Sequence, residues 1–208
     1  MVNELTVPLQ GLPTPYLPPR VAALVRLMGG TVDHPGQPTR YHMAVGVELP
    51  EPIREEARSL LSTLSSMLNP ETEFAGQTAY NARLGIVTTL ILGLANAGTT
   101  EESANARFDL FEVALHDIPA WAVAAGAARW VRRQVPADID KNPNFAFPPG
   151  PGVLRGLALL EMEPYQRSVG DLKKLVACIS IERAMDPRPL DPPKTMLGET
   201  VVPKLRKM

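Results

Sequence analysis

The chain has 208 residues, 21 basic and 22 acidic side chains and a formal net charge of −1. It therefore has no overall electrostatic drive toward nucleic acid or an anionic membrane, and any such contact must be local. Its 22 prolines, against an ordinary frequency of roughly 5%, gather at both ends and around residues 136–151, so the folded part is expected to be shorter than the chain. The single cysteine, Cys178, excludes an internal disulfide and reads as a small buried hydrophobe.

The opening MVNELTVPLQ has neither the basic nor the apolar region of a secretory signal. The longest apolar run, Leu84 to Ala97, is interrupted by Thr88, Thr89 and Asn96 and falls short of the roughly 20 residues that span a bilayer. A cytoplasmic protein without membrane contact is the expectation, with that run as a buried core helix. Residues 1–49 read as a proline-rich extended arm, near polyproline II over Leu12–Pro19, with one short helix over Arg20–Met28 stopped by Gly29-Gly30. Tyr41–Leu49 alternates too poorly to predict a strand.

Glu51-Pro52 opens the clearest helix, with Ile53, Ala57, Leu60, Leu61, Leu64, Met67 and Leu68 as its apolar stripe and Asn69-Pro70 as its end. A second runs from about Thr78 to Asn96, with Gly98 as its cap and Thr99 or Thr100 capping the next. Gly85 and Gly93 each cost that helix about 1 kcal/mol relative to alanine, which predicts the close approach of another helix backbone.

The central stretch, 101–161, reads as a helical hairpin, a proline clamp and a third helix. Phe108, Phe111, Leu115 and Ile118 share one face, and Asp117-Ile118-Pro119 breaks the chain. A second helix from Trp121 carries Trp121, Ala124, Ala128 and Val131 on one stripe and ends in Arg129, Arg132 and Arg133. Phe111 and Trp121 are expected to meet in the hairpin interface, with Pro148-Pro149 closing over its end. Phe145 and Phe147 are expected to fold back and pin the linker. A helix over Val153–Met162 should break at Pro164, and Tyr165–Met185 should supply the last one, followed by a flexible tail over 186–208.

Reactive constellations are missing from the sequence. His34, His42 and His116 are too scattered for a metal site, and Asp138 and Asp140 lack the ligand count of a calcium loop. No phosphate-cradling glycine loop and no Gly-x-Ser-x-Gly motif occurs. The expectation is a non-enzyme without cofactor or metal. One cluster remains: Arg129, Trp130, Arg132 and Arg133. It fits a single-strand contact in which a base stacks on the indole, and it also fits a core tryptophan beside solvated arginines.

The spaced aromatics Phe108-x-x-Phe111-x-x-x-Leu115, the helix Val123–Arg133 with Trp130, and the turn Phe147-Pro148-Pro149-Gly150-Pro151-Gly152-Val153-Leu154 give this stretch a resemblance to a known group. It resembles small phage replication proteins that load or inhibit the replicative helicase. Two departures stand out: the run Val135–Lys141 before the clamp, and a glycine between the prolines where a hydroxyl residue is usual. The resemblance implies a small helical, non-catalytic domain that binds the replicative helicase as partner and sometimes single-stranded DNA; with so few basic residues near Trp130, single-stranded DNA is expected to be met weakly or not at all. The alternative is a structural or regulatory adaptor with no nucleic-acid role. The expected architecture is all-α, a compact antiparallel helical bundle of five or six helices over residues 50–185, with Phe145, Phe147, Pro148 and Pro149 as a structural clamp.

Overall fold

Prolines mark where four of the helices begin. The computed structural model describes residues 12–94 and 101–188, and there Pro19 opens α1 (Pro19–Arg26), Pro52 lies in the first turn of α2 (Glu51–Met67), Pro119 caps the start of α5 (Ala120–Val131) and Pro151 opens α6 (Pro151–Ala177). A fixed φ near −65° and an absent N–H cost nothing at these positions. The remaining helices are α3 (Ala79–Leu94), α4 (Glu101–Leu115) and α7 (Ile181–Met185).

The chain is mostly helical but not purely so, because the proline-rich segment before α2 folds into a hairpin. Strand β1 (Met28–Val32) pairs antiparallel with β2 (Arg40–Met43), with a bulge between Met28 and Gly30. The two glycines read as a helix stop have a second use here. A Cβ on Gly29 would lie 2.6 Å from the His42 ring, and Gly30 has φ +139°, so no other residue pair would let the imidazole lie against the bulged strand.

Helix α6 is the spine. It packs along α5 and also meets α2, α4, α1 and β2, and Leu154, Leu157, Leu172 and Leu175 on it are fully buried. The approach to α5 is close because α5 is alanine-rich: Ala122, Val123, Ala124 and Ala127 are buried, and a Cβ on Gly126 would sit 2.9 Å from the Ala158 nitrogen. The predicted break at Pro164 does not occur, and α6 runs straight through it. One lost backbone hydrogen bond is tolerated because both flanks of the proline are held: Met162 and Tyr165 are buried on either side. The predicted last helix accordingly ends at Ala177, and α7 is a separate turn capped by the Ser180 side chain.

Four further readings change. Residues 12–49 are not an extended arm but pack on the helices. Val21 and Met43 are buried, and the Tyr165 and Ser168 hydroxyls donate to the Pro13 and Pro15 carbonyls at 3.0 and 2.6 Å. Among the described residues α4 and α5 do not pair as a hairpin; each packs on α3 and α6 instead. Trp121 does not meet Phe111 across such an interface. Its indole lies tilted against Tyr165 at 4.8 Å and donates to the Met67 carbonyl at 2.8 Å, linking α2 and α6 through α5. Among the described residues nothing lies within 4 Å of a Cβ built on Gly85 or Gly93, and the close helix crossing is at Gly126 instead. The tail beyond Arg188 and the cap at Gly98–Thr100 lie outside the described residues.

Candidate functional site

The basic–aromatic cluster forms at the C-terminus of α5, where the chain must leave the helix and cross to the clamp. Arg133 adopts φ 59°, its N–H donates to the Trp130 carbonyl and that of Gln134 to the Arg129 carbonyl, both at 2.9 Å. This is a Schellman closure with arginine where glycine is usual. A left-handed arginine is strained, and its guanidinium lies 5.8 Å from the Phe145 ring centroid.

The four residues of the cluster part company there. Trp130 is 3% exposed, its indole N–H donates to the Phe147 carbonyl at 3.2 Å, and its ring is tilted against Phe145 at 4.9 Å. Arg129 is paired with Glu161 of α6. Arg132 and Arg133 remain exposed. Of the two readings the sequence left open, the indole occupies the buried one and presents no face on which a base could stack.

The clamp divides in a similar way. Phe145 covers Trp130 and Pro149 is buried, whereas the Phe147 ring is half exposed and turns outward. Gly150 caps α6 without a hydroxyl, as expected from the glycine between the prolines. Residues Phe147–Pro151 face Ile91 of α3 and Arg107, Leu110 and Phe111 of α4 across an open apolar cleft.

A second cleft on the other side of α4 holds Tyr80, Leu84 and Val87 of α3 against Phe108, Phe111 and Glu112. Between the clefts α4 turns Leu110 and Val113 to solvent at 61% and 74% exposure, and α3 does the same with Leu92 at 69%. Leu84, in one cleft, and Phe147, in the other, are exposed as well, which leaves a set of large apolar side chains on α3, α4 and the clamp in water. Sequence reading missed it by treating the apolar run of α3 as wholly core. The signal was present: from Leu84 to Leu94 α3 holds no charged residue, so this stretch has no charged face to turn to water, and a helix of that kind needs burial on more than one side.

The ends of these helices are held by charge. Arg155 of α6 donates to the Ala114 carbonyl at 2.6 Å and forks onto the Asp117 carboxylate, which holds that carboxyl down at about 2. Arg83 reaches the Pro70 and Ile118 carbonyls at 2.7 and 3.2 Å. Arg155 thus places a cation on the last turn of α4, whereas Arg83 ties together the loops that follow α2 and precede α5.

Nothing among the described residues assembles reactive groups. Each histidine bonds a main-chain carbonyl: His34 to Ala184, His42 to Met43 and His116 to Val113. Burial raises the Cys178 thiol above its usual range, with Arg54 opposing the shift. No three His, Cys, Asp or Glu side chains come together to hold a metal, and no helix is long and apolar enough to cross a membrane, both statements covering the described residues. The chain matches no known protein family, no curated protein and no solved structure.

Proposed function

We propose that this is a non-catalytic docking protein that engages a protein partner through the exposed apolar side chains of Leu84, Leu92, Leu110, Val113 and Phe147. The observation that carries the reading is exposure: large apolar side chains on two neighbouring helices and the clamp remain in water. With Arg107, Asp109 and Glu112 lining the adjoining clefts, this exposed apolar set has the character of a protein interface rather than of a substrate cavity. Gly85 and Gly93 of α3 agree with it, since among the described residues no contact offsets their cost to the helix.

The resemblance of residues 101–160 to phage helicase loaders and inhibitors supplies the partner: a replicative helicase in the cytoplasm, bound by a phage or prophage accessory protein whose helices pack mainly antiparallel. Single-stranded DNA is at most a weak ligand on this reading, through Arg132 and Arg133. The adaptor reading, with no nucleic-acid role, draws on a specific observation of its own, the burial of Trp130.

The test is capture from host-cell lysate with the full chain and with a Leu110→Glu/Val113→Lys double variant. Replacing central apolar anchors should weaken binding about thirtyfold or more. Recovery of the replicative helicase by the parent and its loss with the variant supports the proposal. Equal recovery by both moves the interface off these side chains, and absence of helicase from both replaces the helicase reading with the adaptor one.

A further inference from the structure

The segment that follows α6 is fastened in an unusual way. Cys178 ends the helix, and its carbonyl and that of Val176 are gripped by Arg54 of α2 at 3.0 and 2.7 Å. From Ile179 the chain lies beside β2, with the Ile179 N–H donating to the Tyr41 carbonyl at 3.0 Å and the Met43 N–H to the Ile179 carbonyl at 3.2 Å. It then passes under the hairpin, where Arg40 donates to the carbonyls of Arg183 at 3.2 Å, Asp186, and Arg188 at 2.6 Å. His34 and Gln37 add bonds to the Ala184 and Pro187 carbonyls at 2.8 and 2.9 Å.

Apolar packing contributes little to this hold. Ala184 is buried, Ile179 and Ile181 are half-buried, and Met185 is 61% exposed. The principal fastener is a single guanidinium, 4% exposed, whose bonds all go to neutral oxygens, those of the strap and the Gln37 side chain. The Asp186 carboxylate is taken by Arg188. A segment with few apolar contacts and one concentrated set of hydrogen bonds is the kind that opens without the rest of the domain.

We infer that residues 179–188 are a strap that opens as a unit, hinged where Arg54 holds Cys178, with Arg40 as its lock. Opening removes Ile179 and Ser180 from the cleft they share with Met43, Leu49 and Cys178. It uncovers a thiol that is fully buried in the closed state and frees the main-chain edge of β2, a template for an extended segment.

Cys178 reports the motion directly, because it is the sole cysteine. In the full chain under native conditions, an excess of an aromatic disulfide is attacked by the Cys178 thiolate. The reagent's S–S bond breaks, a mixed disulfide forms on the protein, and one coloured arylthiolate leaves per chain while the thiol proton goes to solvent. The parent should label at a rate that depends on urea far more weakly than global unfolding does. Arg40→Ala should label about tenfold faster or more with its helical circular dichroism unchanged. Val87→Ala, in the core of α3, should lower the urea midpoint without accelerating labelling in buffer. The strap is refuted if labelling of the parent follows the full urea slope of global unfolding, or if a folded Arg40→Ala labels no faster than the parent. The parent's urea slope decides the matter even where Arg40→Ala does not fold.

Discussion

Alanine at Gly126 and alanine at Gly85 should move stability in opposite directions, although both are glycines inside apolar helices. At Gly85 the new methyl meets nothing within 4 Å among the described residues, so only the gain in helix propensity remains, about 0.5–1 kcal/mol in favour of the fold. At Gly126 the same gain is offset by a collision with main chain: 2.9 Å to the Ala158 nitrogen and 3.2 Å to the Leu157 carbonyl carbon, where ordinary contact is 3.4–4 Å. A backbone atom in the middle of α6 cannot rotate away, so α5 and α6 must separate. A gap of about 0.5–1 Å forfeits a quarter to a half of each contact well, and overpacking of this type costs about 1–3 kcal/mol. The net expectation for Gly126→Ala is a loss of about 1–2 kcal/mol, or about 2–8 °C in Tm at this chain length. Urea denaturation followed by circular dichroism measures both variants on one scale. Should Gly126→Ala be as stable as Gly85→Ala, the close crossing of α5 and α6 is wrong.

The Asp117–Arg155 pair makes a pH prediction. The Arg155 guanidinium holds the folded carboxyl at about 2, below its ordinary value of 3.8, so the pair contributes fully above about pH 5 and is lost as pH falls through about 2. Since Asp117 is 45% exposed on its side chain, screening limits the contribution to less than about 1 kcal/mol. Urea midpoints of the parent and Asp117→Asn should differ at pH 6, still differ in part near pH 3 and converge only at about pH 2 and below, and a gap that persists there would assign the effect to something other than charge. Trp121 and Trp130 are both buried, so single-stranded oligonucleotide should leave tryptophan emission unquenched at low salt. Strong, salt-sensitive quenching would place an indole at the surface and restore the base-stacking reading.

Helix positions were legible in the chain because they rest on local causes. Pro52 with Glu51 starts α2, Pro119 starts α5 and Pro151 starts α6, and each acts through φ and a missing donor that need no tertiary partner. The burial of Phe111, Leu115 and Ile118 followed from spacing alone. The candidate site was legible only as a set of residue types: sequence placed Arg129, Trp130, Arg132 and Arg133 together but could not say which way each would turn.

Tertiary structure decided the remainder, for reasons that lie outside any local window. Pro164 stays helical because Met162 and Tyr165 are buried on either side of it, and packing of that extent outweighs one lost hydrogen bond. The hairpin β1–β2 exists because Arg40 and the Ile179 main chain give its polar groups partners about 140 residues away in sequence. Trp130 faces inward because Phe145 and the Phe147 carbonyl come back to meet it. The exposed apolar set is the clearest case. Composition left α3 without a charged residue from Leu84 to Leu94, but which leucines reach the core and which remain in water is fixed by where α4, α5 and the clamp stop covering it.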